Sequence, residues 1–104
     1  MEETIIKNKI MPYLRMGCGD PLVLIHGLGG IKENWNKQFV LSEHYELIIP
    51  DLRGHGENLT LDGITINNFA KDILSLLNEL NIQKAHICGL SMGGTVTQEI
   101  YRRP

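Results

Sequence analysis

The stretch that decides the fold is AHICGLSMGGTVTQEIYRR, residues 85–103. Its first five residues, AHICG, are short and mainly apolar, as in a strand. From Met92 the residues MGGTVTQEIYRR (92–103) are suited to a helix. Between them, Gly89-Leu90-Ser91-Met92-Gly93 fits the pattern G-x-S-x-G. In a chain with 11 glycines that pattern is weak evidence by itself. Its setting strengthens it, because a strand that turns sharply into a helix is the surroundings of a nucleophile elbow. Glycines at 89 and 93 let neighbouring backbone pass without Cβ clashes. The start of the following helix offers N–H groups and the positive end of its dipole, both suited to an oxyanion. The same residues would also suit a glycine-flanked serine that only caps the helix. The motif leaves both readings open, and its context favours the nucleophile.

Working back from the elbow, strands and helices alternate. The run PLVLIH (21–26) is continuously apolar up to its histidine, as in a strand buried on both faces. HGLGG (26–30) breaks it. KENWNKQFVL (32–41) is expected to be a helix with Trp35 and Phe39 one turn apart. YELIIPD (45–51) is a second buried strand, followed by the loop LRGHGENLTLDG (52–63). The clearest helix is INNFAKDILSLLNEL (66–80), where Ile66, Phe69, Ala70, Ile73, Leu77 and Leu80 share one face. Thr65 suits its N-cap and Asn81 the left-handed residue beyond its last turn. At the N-terminus, TIIKN (4–8) and KIMPYLRM (9–16) form two strands around a turn at Asn8–Lys9, and GCGDP (17–21) is a further turn. The sum is an α/β fold: a mostly parallel sheet with an antiparallel N-terminal hairpin and helices on both faces. In such sheets functional groups gather at the carboxyl ends of the strands. HGLGG, LRGHG and GLSMGG each follow a strand, so the three loops should meet at one sheet edge.

Composition bounds the function. At 104 residues, 42% hydrophobic and net charge −2, the chain has the make-up of one small globular domain. It lacks the basic excess of a nucleic-acid binder. Arg102–Arg103 reads as the solvated end of a helix. The N-terminus MEETIIKNK is not a signal peptide, and no apolar run nears the roughly 18 residues of a spanning helix. Cys18 and Cys88 are too few for a disulfide framework and read as inert thiols. The expectation is a cytoplasmic protein, without membrane or nucleic-acid partners. Dinucleotide binding needs G-x-G-x-x-G, and from Gly27 the third position is Lys32, from Gly17 Leu22.

HGLGG, DLRGHGEN and GLSMGG, at these intervals, resemble the N-terminal half of an α/β-hydrolase-fold protein, in the esterase, lactonase and C–C hydrolase branch. The resemblance spans nearly the whole chain and about half of the family's domain. It implies Ser91 as nucleophile and the backbone N–H groups of Leu28 and Met92 as oxyanion hole. His26 and Gly27 match the oxyanion loop, in which the histidine is usually structural, and Gly89 and Gly93 match the elbow supports. Asp51, Arg53, Gly54, His55 and Gly56 match a loop that is usually scaffold. A serine often follows that loop's G-H-G-x in the family, whereas this chain has Asn58, a departure expected to affect loop packing. Serine at the elbow also argues against the haloalkane dehalogenase branch, which uses aspartate.

A serine hydroxyl needs a base, and the base needs a carboxylate to orient it. In this fold both follow the serine. After Ser91 there is one acid, Glu99, and no histidine. His44 and His86 lie toward the wrong end of the sheet. His26 and His55 lie at the correct edge but suit loop-stabilising roles. The expectation is a partial domain over 1–104, lacking the acid and histidine of the C-terminal half. The whole protein would be a serine hydrolase of small carboxylic esters, lactones or related carbonyl compounds, acting through an acyl-enzyme with no cofactor or metal. A separate C-terminal segment would complete the fold. The alternative is a non-catalytic fragment or interaction domain that needs such a partner.

Overall fold

A computed structural model describes residues 2–6 and 8–103. Five strands form one mixed sheet in the order β1-β2-β4-β3-β5. They are β1 (Glu2–Ile6), β2 (Lys9–Met16), β3 (Asp20–Ile25), β4 (Tyr45–Pro50) and β5 (His86–Gly89). β3 pairs in parallel with β4 and with β5, while β2 is antiparallel to both β1 and β4. The hairpin expected at the N-terminal edge is therefore present. Its first strand begins two residues earlier than the sequence pattern implies, and Lys7, read as part of it, lies outside the described residues. Ile6 pairs with Lys9, and Asn8 takes a left-handed φ of 66°.

The apolar runs of β3 and β4 are continuous because both faces of the sheet are covered. Val23, Ile25 and Ile48 point to one side, with Met11 and Tyr13 of β2. There they meet Phe69, Ala70, Ile73, Leu76 and Leu77 of helix α1 (Ile66–Glu79) and Val96 and Ile100 of helix α2 (Met92–Arg102). Leu24, Leu47 and Ile49 point to the other side and meet Trp35, Phe39 and Leu41. One-residue alternation between faces follows from the strand's period of two.

The segment over Trp35 and Phe39 departs from expectation. Lys32–Glu43 forms 3-10 turns instead of an α-helix. Its apolar residues 35, 39 and 41 do not make the i, i+3, i+4, i+7 stripe that anchors an α-helix. Helix α1 has that stripe. Its cap is as read: the Thr65 side chain accepts from the Asn68 N–H at 3.1 Å, and Asn81 has φ 58°. Arg102 is exposed, but Arg103 is not simply a solvated helix end. It reaches Asn67 of α1 and lies 3.5 Å from Glu99, tying the two helices. Among the described residues no helix is long and apolar enough to cross a membrane. Cys18 and Cys88 are free and exposed.

Candidate active site

The end of β5 and the start of α2 are forced together. A Cβ on Gly89 would lie 2.1 Å from the Gly93 carbonyl oxygen, and one on Gly93 would lie 2.3 Å from that of Ile25. Only glycine permits either approach, so both expected supports are steric necessities. The turn is fastened by Leu90 N–H to Ile25 O (3.0 Å), Gly93 N–H to Leu90 O (2.9 Å) and Gly94 N–H to Ser91 O (2.9 Å). At its tip Ser91 has φ 56° and ψ −115°. A non-glycine residue held there stores strain, on the order of 1–3 kcal/mol. The Ser91 side chain is exposed and makes no hydrogen bond to the helix it precedes, so capping does not account for it.

Gly27 lies against this turn. A Cβ at Gly27 would sit 3.2 Å from the Leu90 carbonyl oxygen and 3.4 Å from Ser91 Cβ. A cavity of about 510 Å³ opens over the junction. Residues 26–30 form one wall, Leu90 and Ser91 another, and Asn34, Trp35 and Gln38 of the 3-10 segment the third. Sequence reading missed this third wall. Its only signal in the sequence is the Trp35–Phe39 pair, one turn apart in the expected helix. The Leu28 side chain is exposed, and Met92 is the first residue of α2. Neither backbone N–H has a hydrogen-bond partner among the described residues. All seven residues read as site and support therefore fall at one end of β3 and β5.

The loop after β4 completes that edge, and it is rich in buried charge. Lys32 is fully buried, with Nζ 2.6 Å from Asp51 Oδ2 and 2.8 Å from Glu57 Oε1. Asp51 also accepts the backbone N–H groups of Lys32 (2.8 Å) and Glu57 (2.9 Å). Burial opposes the ammonium form, yet the bonds to Asp51 and Glu57 hold the Lys32 pKa above its ordinary value. Arg53 forms a two-point pair with Asp72 of α1, at 2.6 and 3.0 Å. Asn58, where the family often has serine, donates to the Asp51 carbonyl at 2.9 Å and accepts from Thr60 N–H. That is a packing role, as expected. Burial holds the His26 imidazole below its ordinary pKa, partly offset by its bond to the Gly27 carbonyl. His44 and His86 stand at the amino-terminal ends of β4 and β5, the far ends from Ser91.

A family model described as the alpha/beta hydrolase fold matches residues 20–103. The chain belongs to the α/β-hydrolase fold family. It is 39% identical over 74 residues to 3-oxoadipate enol-lactonase 1 of Acinetobacter baylyi, covering 70% of this chain and 28% of the relative. It is 41% identical over 100 residues to the dihydrolipoyllysine-residue acetyltransferase component of the acetoin cleaving system of Pseudomonas putida, covering 91% of this chain and 27% of that one. Among solved structures, N-acyl homoserine lactonase AidH, complexed with N-butanoyl homoserine, superposes with a TM-score of 0.92 at 25% identity. That match covers 98% of this chain and 40% of AidH. The chain thus spans less than a third of the length of these curated relatives.

Proposed function

We propose that the whole protein is a serine hydrolase of small esters or lactones, with Ser91 as nucleophile. The observation that carries the reading is the exposed, uncapped hydroxyl of Ser91, held at strained φ and ψ beside a cavity. Ser91 Oγ attacks the substrate carbonyl. The N–H groups of Leu28 and Met92, unpaired within the described chain, take the oxyanion. The alcohol leaves, an acyl-enzyme remains, and water releases the acid. The base that accepts the serine proton, and the acid that orients it, come from a further segment of the protein. The 104 residues form the nucleophile-bearing part of the domain. The names of two relatives, an enol-lactonase and an N-acyl homoserine lactonase, support an ester or lactone substrate.

Two measurements test this. A fluorophosphonate probe should phosphonylate the native protein at Ser91, with loss of fluoride, and leave Ser91→Ala unmodified. The mass of the labelled native polypeptide should be well above 11.7 kDa. A folded native protein of 11.7 kDa that resists labelling would overturn the reading and support a non-catalytic domain that needs a partner.

A further inference from the structure

The two loops flanking the cavity are joined by a reciprocal pair of imidazoles. His26 follows β3, and its Nε2 lies 3.1 Å from the backbone nitrogen of Leu52, in the loop after β4. His55 belongs to that second loop, and its Nε2 lies 3.0 Å from the backbone nitrogen of Gly29, back in the first. The remaining ring nitrogens face carbonyls: His26 Nδ1 to Gly27 O at 2.7 Å, and His55 Nδ1 to Arg53 O at 2.8 Å. A backbone N–H can only donate and a carbonyl can only accept. Each ring is therefore neutral, with its proton on Nδ1 and its lone pair on Nε2. All four ring nitrogens are occupied, so neither histidine is free to serve as base for Ser91. The rings lie 4.7 Å apart, centre to centre, and are buried.

Leu28 sits between the two anchored points. Its preceding carbonyl, Gly27 O, accepts from His26 and from the Gly30 N–H at 2.9 Å. Its following amide, Gly29 N–H, is held by His55. The Gly27–Leu28 peptide plane, which carries the Leu28 N–H, is thus tied to His26, and the next plane, Leu28–Gly29, is tied to His55.

We propose that His55 is a positioning residue for catalysis: acting through the Gly29 N–H, it fixes the Leu28–Gly29 peptide and so restrains the rotation about Leu28 that would turn the neighbouring Leu28 N–H away from the oxyanion. The role rests on the oxyanion hole proposed above. It requires the neutral Nδ1–H form. A proton on Nε2 would meet the Gly29 N–H head-on and release the loop. Around the pair, His26 experiences Asp51, Lys32 and the second imidazole. His55 meets the His26 ring and, from α1, the edge of Phe69. The Arg53 guanidinium is turned away to Asp72.

The test combines spectroscopy and kinetics on the intact protein. Nitrogen-15 spectra at neutral pH should show His55 as the Nδ1–H tautomer. In His55→Leu, Gly29 amide exchange should rise about fivefold or more, as loss of one hydrogen bond implies. The rate of Ser91 phosphonylation should fall by at least a similar factor. His55→Gln, whose side-chain oxygen can still accept, should recover most of both. An Nε2–H tautomer, or unchanged labelling in His55→Leu, overturns the positioning role and leaves Ser91 as nucleophile untouched. Failure of the unaltered protein to label at Ser91 overturns the proposed function, and the positioning role with it. If His55→Leu does not fold, the tautomer of the unaltered protein and the labelling rate of His55→Gln decide.

Discussion

The two flanks of β3 are built by different physics. On the β4 side, His26, Lys32, Asp51, Arg53 and His55 are all at most 8% exposed and are joined by ion pairs and side-chain hydrogen bonds. On the β5 side no residue of the strand is fully buried, and both Leu90 and Ser91 are exposed. That side is held by backbone hydrogen bonds and by glycines packed against carbonyl oxygens. The comparison teaches a division of labour. Polar ties over-determine the loop that carries the N–H group proposed to receive the oxyanion. Backbone hydrogen bonds and steric fit shape the turn that leaves Ser91 exposed.

The sharpest way to break this contrast is Asp51→Ala. It leaves the Lys32 ammonium buried without its closest partner and two backbone N–H groups unmatched. Removing one member of a buried pair costs about 3–5 kcal/mol. The unfolding midpoint in urea should show it, and a loss under about 1 kcal/mol would mean that Glu57 and Glu33 suffice, so the β4 flank is not over-determined. Next in size is Gly89→Ala. Its methyl group meets the Gly93 backbone, which cannot swing aside as a side chain could. Overpacking of this kind costs about 1–3 kcal/mol or more. Labelling of Ser91 should fall far more than stability does, and a normally reactive Gly89→Ala would show that the elbow does not depend on that contact.

The sequence disclosed the β5 flank more fully than the β4 flank, for a physical reason. Steric constraints leave glycines at fixed offsets, and Gly89 and Gly93 could be read directly. Strand alternation and the α1 stripe were legible in the same way, since burial imposes a period. Long-range polar pairing leaves no such mark. Lys32 read as an ordinary residue near a helix start, yet it is buried against residues 19 and 25 positions away. Asp72 sits next to Ile73 in the apolar stripe of α1, and only the fold reveals Arg53 as its partner. The 3-10 geometry of Lys32–Glu43 escaped notice because the Trp35–Phe39 spacing fits an α-turn too. The resemblance supplied the role proposed for Ser91, and the strained φ, ψ pair and uncapped hydroxyl are consistent with that proposal.

Ser91→Gly sharpens the steric side of the comparison. Glycine adopts φ 56°, ψ −115° without the serine's Cβ penalty, although it adds freedom to the unfolded chain. The net expectation is a gain of about 1 kcal/mol in stability, with complete loss of labelling. A destabilised Ser91→Gly would mean that the hydroxyl makes a contact worth more than the strain.

The smallest effect concerns the polar flank and acid. The His26 pKa lies below its ordinary value of 6.5, chiefly through burial. Above pH 6.5 the ring is neutral whether the chain is folded or not, and stability is flat with respect to it. As pH falls through 6.5 the unfolded chain takes up a proton that the folded chain refuses, so the unfolded state is favoured and stability declines. The decline continues until the folded pKa is passed and then levels off. Urea midpoints from about pH 7.5 down to about pH 5 should therefore fall in the unaltered protein and fall less in His26→Gln. Parallel curves would mean that His26 protonates as easily inside the fold as outside. The tie from Leu52 N–H to His26 Nε2 would then not depend on a neutral ring.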